Sequence, residues 1–104
     1  MGVFNLRGKV IQDPRLVTFQ NGSTATVVRV EEATNTKTAS YIDVYFNGDA
    51  QNCIPKDIAL YKKDVVISGY FYGRLSENDT WKMPIATFRG FSLVITGGLD
   101  NYDD

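Results

Sequence analysis

Five aromatic side chains and six cations recur in this sequence at spacings suited to gripping flat, negatively charged partners. Tyr41 and Tyr45 are four residues apart, Tyr70, Tyr72 and Arg74 take alternate positions, and Trp81-Lys82 follows soon after. Arg7, Lys9, Arg29 and Lys37 supply the remaining charge. Aromatic faces stack on other π-systems, and guanidinium and ammonium groups pair with anions. The means for making and breaking bonds are thin by comparison. There is no histidine, which removes the commonest general base, proton shuttle and metal ligand together. The single cysteine, Cys53, excludes an internal disulfide and any multi-cysteine zinc site. With no histidine to activate it, Cys53 beside Ile54 reads as a small hydrophobe in a reducing compartment. Asp43 and Glu31 are the nearest approach to an acid pair. No enzyme activity, metal or cofactor is therefore expected.

Strand parity decides whether the aromatic and basic groups share a surface. Phe4, Leu6, Gly8 and Val10 alternate with Asn5, Arg7 and Lys9, and Thr26, Val28 and Val30 alternate with Val27, Arg29 and Glu31. Ile42, Val44 and Phe46 alternate with Tyr41, Asp43 and Tyr45, and Val65, Ile67, Gly69 and Phe71 with Val66, Ser68, Tyr70 and Tyr72. A period of two in residues of these types marks strands with one buried face. Burying the apolar members turns Tyr41, Tyr45, Tyr70, Tyr72 and Arg74 outward, along with Arg7, Lys9, Arg29 and Lys82. Lys37 falls on a loop. A further strand region runs from Trp81 to Ile95, broken near Arg89-Gly90. Asp13-Pro14, Asn21-Gly22, Asn47-Gly48 and Ser76-Glu77-Asn78-Asp79 are turn signals between these runs. Only Ile54, Ile58 and Tyr61 have helical spacing. With Pro55 in the first turn and Lys62 and Lys63 at the end, they predict a short helix over Pro55–Lys62.

A chain of 104 residues is one domain, able to bury roughly 65% of its extended surface. No apolar run approaches the roughly 20 residues of a membrane span. The opening Met1-Gly2-Val3-Phe4 has neither the pattern of a secretory leader nor a full myristoylation motif. A cytoplasmic protein with no membrane partner is expected. The net charge is −1, but Asp100, Asp103 and Asp104 crowd the last six residues. Without those three the remaining nine acidic residues face eleven cations, so a mildly basic body carries an acidic tail. Charge alone permits an anionic partner without announcing one.

Five strand regions with one short helix between the third and fourth predict an all-β, five-stranded OB-fold barrel. A five-stranded sandwich or SH3-like barrel is the alternative. Gly8 and Gly69, on the core side of their strands, would let the barrel bend or its backbones approach. Residues 1–96 form the barrel domain on this reading, and residues 97–104, released at Gly97-Gly98, form a short acidic, flexible tail.

Three segments resemble the bacterial and phage single-stranded-DNA-binding protein family. The first is Asn5-Leu6-Arg7-Gly8-Lys9-Val10-Ile11-Gln12-Asp13-Pro14 followed by Asn21-Gly22, the second Tyr41-Ile42-Asp43-Val44-Tyr45-Phe46-Asn47-Gly48, and the third Leu60-Tyr61-Lys62-Lys63-Asp64-Val65-Val66-Ile67-Ser68-Gly69. Together they span most of residues 5–72 in the family's order. The loop from Ala33 to Ser40 lacks the aromatic residue that many members carry there. The chain ends in Leu99-Asp100-Asn101-Tyr102-Asp103-Asp104, without a long linker or the Ile-Pro-Phe tip that recruits other enzymes. The resemblance thus implies a short, tail-poor member of the kind found in phages or mobile elements, acting in the bacterial cell, with no recruitment of other proteins through the tail.

Read through that resemblance, the aromatic and basic residues become a site. Bases of single-stranded DNA would stack on Tyr41, Tyr45, Tyr70, Tyr72 and Trp81, the last being the family's expected stacking position. Phosphates would meet Arg7, Lys9, Arg29, Lys37, Arg74 and Lys82. RNA would fit the same chemistry, since nothing in the sequence reads a 2′-hydroxyl. The family implies a role in replication or recombination and assembly as a homodimer or homotetramer. The competing reading is a primosome-accessory or protein-interaction barrel, whose surface aromatics form a partner interface. Outward tyrosines also serve as ordinary cross-strand pairs, Trp81 as core, and Arg7, Lys9 and Arg29 as solvated or edge-protecting charges.

Overall fold

The protein is a computed structural model that describes residues 2–34, 37–76 and 84–98, and the described residues form six strands and one short 3-10 helix. Strand β1 is Gly2–Val10, β2 Arg15–Thr18, β3 Thr24–Glu32, β4 Tyr41–Asn47, β5 Lys63–Leu75 and β6 Pro84–Gly98, with the helix at Gly48–Cys53. β1 runs antiparallel to β5 and, through residues 8–10, to β3. The pairs β3–β4 and β5–β6 are antiparallel, and β4 lies parallel to β6 at Val44 and Tyr45. The circuit β1–β3–β4–β6–β5–β1 closes a five-stranded barrel, and β2 hangs outside it on β3. This is an all-β OB-fold arrangement, with a short helix between the third and fourth strands of the circuit in chain order, β4 and β5.

Alternation closes the barrel. Leu6, Val10, Val28, Val30, Val44, Phe46, Val65 and Ile67 all turn inward and, with Leu60, make one buried cluster. Fully burying a side chain of this kind contributes about 1.5–3 kcal/mol. Phe4 and Phe88 meet edge to face at 5.3 Å and pack against this cluster. Gly8 and Gly69 do what their inward positions suggested. A Cβ at Gly8 would collide with the Glu31 carbonyl oxygen, and one at Gly69 with that of Arg89. Beside Gly69 a bulge leaves Phe91 unpaired between the Gly69–Gly90 and Ser68–Ser92 partners.

Two local expectations are corrected. The segment 55–62 is not helical, and the helix lies earlier, at Gly48–Cys53. Ile58 and Tyr61 are each 48% exposed, so the apolar spacing does not describe a buried face. What holds the segment is Leu60, 2% exposed, and the bond from the Lys62 amide to the Val10 carbonyl at 2.8 Å. Lys62 itself takes a positive φ of 70°, incompatible with a continuing helix. Eight residues are too few to hold a helix without packing, so these anchors decide. The helix that does form is fastened by Gln51, whose side-chain amide donates to Thr24 Oγ1 at 3.1 Å and whose oxygen accepts from Thr26 Oγ1 at 3.0 Å.

The second correction is β2, which the alternation did not reveal. It is four residues long and exists as one arm of a hairpin on β3, closed by Asn21-Gly22. Gly22 has a φ of 88° there, and the Ser23 amide donates to Asn21 Oδ1 at 3.0 Å. Trp81, Lys82, turn residues Glu77 to Asp79 and the end from Leu99 onward lie outside the described residues.

Candidate functional site

On the face of β3 and β4 turned away from the core cluster, Ala25 stands opposite Asn47, Val27 opposite Tyr45, Arg29 opposite Asp43 and Glu31 opposite Tyr41, with Ala25 and Val27 themselves buried. Tyr41 is 58% exposed, whereas Tyr45 is half-buried. This surface continues across the parallel contact to β6, where Tyr45 is in register with Arg89, and from there to β5, where Arg89 is in register with Tyr70. The guanidinium of Arg89 lies 5.1 Å from the centroid of the Tyr72 ring. Tyr70 in turn tilts against Phe91 at 5.6 Å. Four of the five expected aromatics are therefore brought onto one outer surface that crosses β4, β6 and β5.

Arg89 is the residue that the sequence reading missed. Its outward orientation was available from Phe88, which packs on the core, and the position after it. Its place between Tyr45 and Tyr72 was not, because that depends on the parallel pairing of strands more than 40 residues apart in the chain.

The expected cations do not form a single track. Arg29 is bonded to Asp43 through both edges of a fork, Nε donating to Oδ1 at 2.7 Å and a terminal nitrogen to Oδ2 at 2.9 Å. That hydrogen bond, reinforced by the opposite charge, holds the Arg29 pKa above its usual value. It likewise holds the Asp43 carboxyl below the ordinary carboxylate range, against the smaller effect of burial, with Arg15 adding a lesser attraction. Lys9 is paired with Asp64 at 2.9 Å. Arg7, Lys9 and Lys37 line an open groove of about 630 Å³ whose walls also carry Glu31, Glu32 and Asp64. Three charges of each sign leave that groove electrically balanced. Arg7, Arg15 and Arg74 have no ion-pair partner among the described residues. Arg74 lies toward the distal end of β5, opposite Ile85.

Among the described residues, no group of three or more His, Cys, Asp or Glu side chains is placed to hold a metal ion. No described helix is long and apolar enough to cross a membrane. Cys53 is half-buried, its thiol 3.0 Å from the Phe91 carbonyl oxygen beside the bulge.

No family model and no curated protein sequence matches the chain. Among solved structures, the chain is similar to the second single-stranded-DNA-binding protein (SSBb) of Mycobacterium smegmatis. The TM-score is 0.62 at 16% identity, over 90% of this chain and 87% of that one. At that identity the likeness is one of fold: the chain shares the barrel of SSBb over nearly its whole length.

Proposed function

We propose that this protein binds single-stranded DNA with little sequence preference and shields exposed strands during replication or recombination. The observation that carries the reading is the continuous outward surface of Tyr41, Tyr45, Arg89, Tyr72 and Tyr70 across three adjoining strands. Any base has a π-face to stack on a tyrosine, so such a surface takes a strand without reading its sequence. The fold shared with the mycobacterial protein, whose name states that it binds single-stranded DNA, supports the same reading. Trp81 joins the stacking set on sequence grounds. Arg89, Arg7, Arg74, Lys37 and Lys82 make the phosphate contacts, with Arg29 and Lys9 engaged by Asp43 and Asp64.

The test is fluorescence anisotropy of a labelled oligothymidine, with a matched duplex as control and an oligouridine arm to compare RNA. Saturable binding to the single strand alone, weakening as salt rises, is expected. Quenching of Trp81, the sole tryptophan, would accompany it. The absence of any binding at low salt would overturn the proposal.

One observation favours a protein contact as well. Val3 on β1, and Val94 and Phe91 on β6, are 77%, 55% and 46% exposed on the two strands that flank β5. Exposed apolar side chains gathered on a sheet mark an interaction surface, and we assign this one to self-association as a homodimer or homotetramer. Sedimentation equilibrium tests it, and a Val94→Lys variant that remains as large as the native assembly would count against that face.

A further inference from the structure

Asp43 stands at the middle of the proposed strand-binding surface, where an anion is least expected. It lies between Tyr41 and Tyr45 on the outward side of β4, directly opposite Arg29 on β3. Arg29 and Asp43 also line a hollow of about 390 Å³ that opens beside Tyr41, a volume within the roughly 300–1,000 Å³ of small-ligand sites. A strand that stacks on both tyrosines passes over this pair. We infer that Asp43 is a positioning residue that sets the strength of strand binding: it occupies the guanidinium fork of Arg29 and so withholds a phosphate contact from the strand. The inference rests on the proposed function.

The geometry explains why the two ligands compete. A carboxylate and a phosphate each present two oxygens to the same planar fork of N–H donors. In this protein the fork's Nε and one terminal nitrogen are both engaged by Asp43, at 2.7 and 2.9 Å. A phosphate must displace the carboxylate or settle for the outer edge of the guanidinium. Displacement is not prevented by burial, because the two side chains are 43% and 33% exposed. Arg15, whose charge reaches Asp43, helps to keep that carboxyl ionised and so able to hold the fork. The pair consequently presents a nearly neutral, flat platform between the two tyrosines. Base edges fit over such a platform better than the sugar–phosphate chain does. The backbone is directed to the rim, toward Arg89.

A merely structural Asp43, acting as a cross-strand partner of Arg29, makes the opposite prediction. Its removal would lower stability and leave affinity unchanged or reduced. The discriminating experiment is a double-mutant cycle on oligothymidine binding, followed by anisotropy at several salt concentrations. Native protein, Asp43→Asn, Asp43→Ala, Arg29→Gln and the Arg29→Gln/Asp43→Asn double variant are compared, with thermal melts confirming that each is folded. Both Asp43 variants should bind about tenfold more tightly at low salt, the effect of roughly one charged hydrogen-bonded contact. Their salt slopes should steepen by about 0.7, one extra phosphate. The double variant, which removes both charges, should return to about the native affinity and slope, whereas Arg29→Gln alone strands the Asp43 carboxylate on the surface and should weaken binding.

Unchanged or weaker binding by the two Asp43 variants would overturn the inference. A slope in the double variant about 0.7 below the native one would also overturn it, since Arg29 would then already reach a phosphate in the native protein. Should Asp43→Ala fail to fold, the near-isosteric Asp43→Asn decides the matter. If the native chain binds no oligothymidine, the proposed function falls and this inference with it. If the native chain binds and the variants gain nothing, this inference alone falls.

Discussion

The guanidinium of Arg89 rests 5.1 Å from the ring centroid of Tyr72, while its backbone is in register with Tyr45 on one side and Tyr70 on the other. One cation is thus held among three tyrosines contributed by two other strands. A guanidinium set over a ring at this distance makes a cation–π contact and leaves N–H donors with which a phosphate can pair.

Arg89→Ala should therefore weaken binding to oligothymidine and flatten the salt slope by about 0.7, the share of one phosphate on a single strand. Arg89→Lys should keep the slope and lose part of the affinity, because an ammonium lacks the planar fork of donors that a guanidinium offers a phosphate. Anisotropy at several salt concentrations measures both quantities. A native slope in Arg89→Ala would remove this residue from the phosphate path.

The tyrosines should behave differently. Tyr41→Ala and Tyr45→Ala should each cost about 1–3 kcal/mol of binding, with no change in salt slope, since stacking releases no counterions. Tyr41→Phe and Tyr45→Phe should stay near native, because the ring carries the contact. A large loss in the phenylalanine variants would point to hydroxyl hydrogen bonds instead of stacking.

Leu60 and Ile58 provide a contrast within the segment where sequence spacing and structure part. Leu60 is 2% exposed inside the core cluster and Ile58 is 48% exposed. Leu60→Ala should cost about 2–5 kcal/mol of folding stability, and Ile58→Ala about 0.5 kcal/mol or less. Urea unfolding measures both. Equal losses would mean that the segment packs through Ile58 after all.

That segment shows where the sequence was legible and where it was not. The long strands could be read because inward residues such as Val28, Val44 and Ile67 recur strictly at every second position and all reach one cluster. The same parity turned Tyr41, Tyr45, Tyr70 and Tyr72 outward before any pairing was known. It could not show which strands would adjoin. Arg89 became a neighbour of Tyr45 only through the parallel β4–β6 contact, and β2 became a strand only by leaning on β3. Nor does parity say whether an outward cation is available. Arg29 and Lys9 point outward as read, but each is engaged by a carboxylate on the adjoining strand. The helix spacing failed for a related reason: eight residues take their conformation from tertiary anchors, here Leu60 and the Lys62–Val10 bond.

Gly69 tests the barrel's closest backbone approach. A Cβ there would run into the Arg89 carbonyl, so Gly69→Ala must push β5 and β6 apart beside the bulge. A loss of about 1–3 kcal/mol is expected, as for other overpacked sites, with a weakening of strand binding because Arg89 shifts with its strand. Unfolding and anisotropy on the same variant would show the two effects together. Native stability would mean that the strands can slide to make room.

The Arg29–Asp43 pair sets the direction of the acid response. Asp43 has its carboxyl pKa lowered chiefly by the hydrogen bond from Arg29, so the folded chain releases that proton more readily than the unfolded one. A carboxylate shifted in this sense adds stability above its unfolded value, about 3.9, and that contribution fades as pH falls through the lower folded value. Both arginines near it, Arg29 and Arg15, remain charged throughout, and the chain has no histidine. Oligothymidine affinity should accordingly be flat between about pH 5.5 and 8. The difference in urea midpoint between native protein and Asp43→Asn should be constant over the same span and shrink below about pH 4, as the native carboxyl takes up its proton. Solvent screening of this half-exposed pair keeps that difference small, so its sign and its pH window are the quantities to read. A native-to-variant gap that widened on acidification would require Asp43 to be stabilised in its protonated form, which the two bonds from Arg29 oppose.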